Sequence, residues 1–279
     1  MTMSFPRVPA LLCASLALTV GCDDVASPAG TPFPHGFSEV LRLKLPDALR
    51  EISGLAVAGP DTLLAVDDEQ ALVYRIDLAT QVVEPLLAIG RPARPGDYEG
   101  LARIGDQTLL VDSDGVLFWT EGERVQTLDT RLGARFEIEG LGRDPVSGLL
   151  YLASKRARGK GKAMASHLHA VDLPSRARQP DADIELDLAA AQQALSSASM
   201  HLSGLAFSDD GQNIWLVAAR ERALLNFDRA GQLRSAIDLS ELGKHRQAEG
   251  IALLPGGRLA IADEGDGKRA RLTVYRFER

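Results

Sequence analysis

The apolar positions of this chain fall into short runs separated by turn residues, and the runs recur in a fixed order behind one phrase. The phrase reads Glu51-Ile-Ser-Gly-Leu-Ala56, Asp97-Tyr-Glu-Gly-Leu-Ala102, Glu137-Ile-Glu-Gly-Leu-Gly142, His201-Leu-Ser-Gly-Leu-Ala206 and Gln247-Ala-Glu-Gly-Ile-Ala252. Each copy holds a serine or glutamate, a glycine and an aliphatic residue in that order, which makes it an internal repeat. Behind each comes a run that reads as a buried strand, at 62–66, 108–111, 149–153, 214–218 and 258–262. Turn signals such as Ala58-Gly-Pro-Asp61 and Pro255-Gly-Gly257 separate phrase from run, so the two form a hairpin. A third run alternates in polarity at 71–77, 167–172, 223–228 and 272–277, and the first three of these end on Asp77, Asp172 and Asp228, where the chain must turn. A weaker fourth run follows at 82–89, 184–188 and 233–239.

Four antiparallel strands per unit of 40 to 50 residues predict an all-β chain folded as a single β-propeller, because a sandwich does not account for the self-similarity. The phrase glycines Gly54, Gly100, Gly140, Gly204 and Gly250 are spaced by 46, 40, 64 and 46 residues. The return from Gly250 through the C-terminus and on to Gly54 completes one more period. Residues 39–45 are therefore expected to form the outer strand of the last blade, closing the ring and removing an exposed edge. Five four-stranded blades are favoured and six are the alternative. The 64-residue interval is too short for two blades and reads as an insertion, made of a basic loop at 156–166 and an alanine-rich stretch within 187–199 of helical composition.

The first residues change the picture of where the fold begins. Arg7 precedes an apolar stretch, Val8 to Val20, too short to span a bilayer as a permanent helix, which reads as a secretory signal over residues 1–21. Its end, Leu18-Thr-Val-Gly-Cys22, resembles the bacterial lipobox, with Thr19 standing where that motif usually has leucine. Cys13 lies inside the apolar segment and leaves Cys22 without a disulfide partner, which favours lipidation of Cys22 over a stray thiol. Asp23 and Asp24 resemble an inner-membrane retention signal, so inner membrane is favoured over outer for a periplasm-facing lipoprotein. Residues 22–35 then form the lipidated cysteine and a proline-containing tether, and residues 36–279 the propeller.

Composition and charge narrow the partners. With 279 residues, 45% hydrophobic and 25% charged, the chain is globular rather than disordered. The formal charge of −7 becomes −8 once the leader with its one charged residue, Arg7, is set aside. That acidity argues against nucleic acid and against electrostatic attachment to anionic lipid, so contact with the membrane is expected through the anchor at Cys22 alone. The basic exception, Lys155-Arg-Ala-Arg-Gly-Lys-Gly-Lys162, reads as a solvated loop. A monomer is expected.

In a propeller the first strand of each blade lines the central channel, and the second runs antiparallel to it, so the end of the second lies beside the start of the first. One set of side chains at that mouth precedes the phrase glycines: Ser53, Glu99, Glu139, Ser203 and Glu249. The other closes the second strands: Asp67-Asp-Glu69, Asp112-Ser-Asp114, Ser154-Lys155, Arg220-Glu221 and Asp263-Glu264. The candidate cation or ligand site is thus Asp67, Glu99, Asp112, Glu139, Glu249, Asp263 and Glu264, with Lys155 and Arg220 as charge partners. Carboxylates so crowded need a cation, a basic partner or a raised pKa. Oxygen-only donors suit calcium or magnesium, and zinc is disfavoured without cysteine or paired-histidine motifs. The competing reading is a structural ring of ion pairs through Lys155 and Arg220. No Gly-x-Ser-x-Gly motif is present, Ser53 and Ser203 occupy the structural position of the repeat, and His201 reads as a wall residue, so no catalytic residue is assigned.

Glu51-Ile-Ser-Gly-Leu, Asp97-Tyr-Glu-Gly-Leu and Ala248-Glu-Gly-Ile-Ala, with Val66-Asp-Asp-Glu69 and Ala262-Asp-Glu264, resemble the SdiA-regulated family of bacterial envelope β-propellers over most of residues 45–279. The resemblance implies fold and envelope location but no defined reaction. The expectation is a binding or scaffolding module for a small-molecule or protein ligand, with calcium as the candidate ion at its acidic mouth. The alternative is a calcium-dependent hydrolase similar to the phytase-like phosphoesterases. A gluconolactonase-type enzyme fits less well, since such enzymes complete their metal site with asparagines and this chain has only Asn213, in a turn, and Asn226, in a third run. Lipidation is directly measurable: palmitate should label the wild-type protein in bacteria and not Cys22→Ala, and equal labelling of the two removes the anchor.

Overall fold

A computed structural model describes residues 36–157, 166–265 and 267–277, so the expected leader, the Cys22 anchor, the tether and most of the basic loop lie outside the described residues. The described chain opens with β1 (Phe37–Lys44), which is held for the end of the ring. Blade 1 is β2 (Ile52–Gly59), β3 (Thr62–Asp67), β4 (Gln70–Asp77) and β5 (Val82–Ala88). Blade 2 is β6 (Tyr98–Ile104), β7 (Gln107–Asp112), β8 (Val116–Glu121) and β9 (Arg124–Asp129). Blade 3 is β10 (Phe136–Arg143), β11 (Leu150–Ala157) and β12 (His167–Asp172), with the fourth position shared by β13 (Ala177–Arg178) and β14 (Ile184–Glu185). Blade 4 is β15 (Gly204–Phe207), β16 (Asn213–Ala218), β17 (Ala223–Asp228) and β18 (Leu233–Asp238). In blade 5, β19 (Ala248–Leu254), β20 (Arg258–Asp263) and β21 (Arg271–Phe277) are completed by β1, antiparallel to β21. The protein is a five-bladed β-propeller closed by its N-terminal strand. The long third interval is an insertion carrying α1 (Leu188–Ala194), capped by Asp187, whose Oδ1 accepts the Ala190 N–H at 3.0 Å.

The second strands read as unbroken apolar runs because both faces are buried. In β3, Leu63 and Ala65 pack at the seam with blade 5, while Leu64 and Val66 pack at the seam with blade 2. The same division along β7, β11, β16 and β20 produces a separate apolar cluster at each of the five seams. The third strands turn on their aspartates: Asp77 accepts the N–H groups of Ala79 and Thr80, and Asp228 those of Ala230 and Gln232. Blades 3 and 4 are also tied at one end by Arg229, which grips the fully buried Asp144 through Nη1 at 3.0 Å and Nη2 at 2.7 Å and donates to Gly211 O.

The phrase glycines set the radius of the ring. The innermost strands touch in the order β2, β6, β10, β15, β19 and back to β2. At three of these contacts backbone meets backbone. A Cβ on Gly54 would stand 2.9 Å from the Gly100 Cα, one on Gly100 2.7 Å from the Leu141 N, and one on Gly204 2.3 Å from the Glu249 O. A side chain there would push the next blade outward. The expected result is that Gly204→Ala lowers the melting temperature by the equivalent of about 1–3 kcal/mol. Gly59→Ala is the control: it lies in the same kind of strand, where the added Cβ would find its nearest neighbour, Thr62 Oγ1, at 3.6 Å. Equal stability of the two variants in thermal melts would refute the close-approach explanation.

Candidate functional site

Just beyond each glycine, the aliphatic residue of the phrase points into the axis, and Leu55, Leu101, Leu141, Leu205 and Ile251 meet there, all nearly inaccessible. They leave an axial cavity of about 10 Å³, room for about one water molecule. This neck divides the channel into two mouths.

At the first mouth stand the three glutamates that precede phrase glycines. Glu99 and Glu249 line the neck cavity directly, and the Glu139 carboxylate, 6% exposed, receives the Lys155 ammonium at 3.0 Å. Burial pulls the Lys155 pKa down, but Glu139, Glu249 and Glu99 outweigh this and raise it, so the lysine stays charged. The carboxyls move the other way. Burial raises Glu99 far above the usual carboxylate range, reinforced by Glu139, Asp97 and Glu249, with Lys155 opposing. Burial also raises Glu139 and Glu249, in each case against the pull of Lys155. Glu264, beside them and bonded by Gln247 Nε2, is pushed up to about 8 by burial and then by Glu249, Asp68 and Glu51. Among the described residues Lys155 is the one cation that the geometry pairs with this group.

The other expected members do different work. Asp67 accepts the Glu51 N–H at 3.1 Å and Asp263 the Arg246 N–H at 3.1 Å, each carboxylate clamping the start of its blade's phrase to the end of the second strand. Glu221 does the same in blade 4, accepting the His201 N–H at 2.9 Å while its other oxygen meets His201 Nδ1 at 2.7 Å, which makes His201 a wall residue as its position suggests. Asp112 shapes the β7–β8 turn through the N–H groups of Asp114 and Val116. Arg220 is exposed in the β16–β17 turn and, among the described residues, forms no ion pair with the glutamates. The two serines at the glutamate position bridge to the following blade instead: Ser53 Oγ donates to Tyr98 O, and Ser203 Oγ to Ala248 O at 2.9 Å.

Two groups lie outside the candidate site read from the sequence. Asp68, next to the clamp Asp67, has a buried Oδ1 with no hydrogen-bond partner, and its pKa is pushed up to about 7 by burial and then by Asp67, Glu51 and Asp97. Alternation along a strand end is the signal that identifies it, since one aspartate of Val66-Asp-Asp-Glu69 turned to the backbone leaves the next turned away. Behind Asp263, the buried His245 joins Asp263 Oδ2 at 2.9 Å to the Tyr275 hydroxyl at 2.6 Å, and that hydroxyl donates to Leu242 O. Nothing in the spacing of a lone histidine in the blade 4–5 connection reveals this, because its partners come from the ends of two other strands.

Chemically, the first mouth is a cup of carboxyls around one ammonium. Burial favours the protonated form of these carboxyls, with Lys155 opposing it. The carboxylates are oxygen donors, yet among the described residues no three acidic or histidine side chains are arranged to hold one metal ion. Also among the described residues, no helix is long and apolar enough to cross a membrane.

Comparison with known proteins supports the architecture. A glutaminyl cyclase from Myxococcus xanthus aligns over 89% of this chain and 99% of its own at TM-score 0.58 and 16% identity. A luciferin-regenerating enzyme aligns over 86% and 95% at TM-score 0.53 and 9% identity, and the PQQ-bound aldose sugar dehydrogenase of Streptomyces coelicolor over 88% and 100% at TM-score 0.51 and 14% identity. At such identities the likeness is one of fold. A search of the curated proteins finds no match. The model of the SdiA-regulated family matches residues 178–278, which take in blade 4 and the three C-terminal strands of blade 5. The chain is a five-bladed β-propeller whose residues 178–278 match the model of the SdiA-regulated family.

Proposed function

We propose that the protein is a binding module of the bacterial envelope whose ligand presents a cationic group to the cup formed by Glu99, Glu139, Glu249 and Glu264. The observation that carries this reading is the imbalance of charge: four largely buried carboxyls face the single ammonium of Lys155. Taking carboxylates out of water is unfavourable unless a proton or a cation compensates. An amine or guanidinium group, hydrogen-bonding to two or three carboxylates in turn, suits side chains that do not converge on one point. Calcium is the second occupant, and it requires the carboxylates to draw together. Anchoring through Cys22 would hold the cup at the membrane surface, facing the periplasm.

The proposal fixes a pH dependence with a definite sign. Carboxyls whose pKa is raised by folding retain protons that the unfolded chain has released, so their stability contribution is complete below about pH 4.5 and is lost as pH rises through the folded values. Glu264 sets one mark of that window, at about 8, and Glu99 extends it upward. The melting temperature of the wild type should therefore fall between about pH 5 and about pH 9, and Glu99→Gln should flatten the fall and exceed the wild type at the alkaline end. At the alkaline end 1,4-diaminobutane or calcium, at matched ionic strength, should raise the melting temperature of the wild type more than that of Glu99→Gln. If Glu99→Gln follows the wild-type pH curve and neither cation stabilises the wild type, the cup is not a cation site. Calcium-dependent hydrolysis of a phosphate ester or lactone, abolished in Glu99→Gln, would replace binding with the hydrolase reading.

A further inference from the structure

The second mouth, on the far side of the neck, has the opposite chemistry. It is a bowl of about 220 Å³ with the five aliphatic neck residues as its floor. Its wall is the next phrase position, where four blades carry alanine and blade 3 carries Gly142, so no large side chain fills it. The rim is the position three residues after the phrase glycine, and there the repeat loses its symmetry. Blades 2 and 3 present Arg103 and Arg143, while blades 4, 5 and 1 present Phe207, Leu253 and Val57. Two adjacent blades thus place an arginine on the rim opposite an apolar arc.

Neither arginine is spent on a buried carboxylate. Arg103 is held in place by donating Nη1 to Ala58 O of blade 1 at 3.0 Å, and its acidic neighbour, Asp106 at 3.5 Å, is fully exposed. Arg143 makes no ion pair among the described residues, and its buried Nε has no hydrogen-bond partner. Such a donor in a native fold calls for an acceptor. The adjacent Asp144 does not supply one, since its carboxylate is taken by Arg229 and the 146–147 turn. Asp209 is the acidic residue on the rim, exposed and on blade 4, leaving the bowl with a net positive lining.

We propose that this bowl binds a small organic carboxylate, its apolar body on the neck residues, Phe207 and Leu253, and its carboxylate on Arg103 and Arg143. Planar guanidinium groups recognise carboxylates through paired hydrogen bonds. The volume limits the body: a cavity of about 150 Å³ admits benzene, so the bowl takes a benzene-sized or short aliphatic group plus its carboxylate. The site does not depend on the acidic cup, from which the neck separates it.

Benzoate and hexanoate are the probes, with benzyl alcohol and hexylamine as their uncharged and cationic counterparts, read by saturation-transfer NMR and titration calorimetry on the wild-type chain. Both carboxylates should bind saturably at one site per chain, the alcohol at least tenfold more weakly, and the amine should not compete with them. Arg143→Gln and Arg103→Gln should each weaken benzoate tenfold or more. The proposal is overturned if neither carboxylate saturates, if alcohol or amine binds as well as acid, or if both arginine variants bind as the wild type does. Should a variant fail to fold, the comparison of acid, alcohol and amine on the wild type still decides.

Discussion

The contact on which the rest of the molecule depends is the backbone approach between innermost strands at the phrase glycines. Where Gly54 meets Gly100, Gly100 meets Leu141 and Gly204 meets Glu249, there is no space for a methyl group. A ring of five blades is small, and closing it requires strands to come nearer than side chains allow. Everything axial follows from that radius. The aliphatic residue after each glycine is forced onto the axis and forms the neck, and the residues on either side of it are sorted into two mouths with no ligand-sized passage between them. The apolar seams then hold the blades at this distance, each second strand serving two seams with alternate residues.

The same radius makes the position before the glycine electrostatically tense. Serine there is neutral and short, and it spans the gap to the next blade's backbone, as Ser53 and Ser203 do. Glutamate is too long and too polar for that bridge, so in blades 2, 3 and 5 it stands into the mouth. Three glutamates on so tight a ring cannot separate, and one lysine from the end of β11 does not balance them. Burial raises the pKa values of the group, and repulsion from Glu139 is the next cause at Glu99, while at Glu139 and Glu249 Lys155 opposes the rise. On the other side of the neck the wall narrows to alanine and glycine, and the chemistry moves to the rim, where two arginines break the repeat.

Much of this was legible in the repeat. Five copies of one phrase, each followed by an apolar run, favoured five blades over six and indicated the hairpin order and closure by residues 39–45, which β1 fulfils as Phe37–Lys44. Glu99, Glu139, Glu249 and Lys155 came together as their shared repeat positions imply. The strand-end aspartates have a second role that the repeat does not state. Asp67 and Asp263 lie near the mouth, and each carboxylate also accepts a backbone N–H of its own blade, from Glu51 and Arg246. Arg220 sits in the same repeat column as Lys155 yet falls in an exposed turn, because β16 ends at Ala218 whereas β11 continues to Ala157.

The sequence by itself therefore determined the periodic features of this protein: the strands, the number of blades, the closure, and which side chains share an end of the ring. These are set by local pattern and by spacing, which a linear chain states directly. The tertiary structure alone decided which of the gathered carboxylates also accept backbone N–H groups and which face one another, that Asp68 Oδ1 is buried without a hydrogen-bond partner, and that His245 joins Asp263 to Tyr275. It also decided that the far mouth is an open bowl with an unpaired guanidinium nitrogen. These depend on distances of a few ångströms between residues from different blades, and the repeat is blind to them because it assigns the same position to side chains with different neighbours.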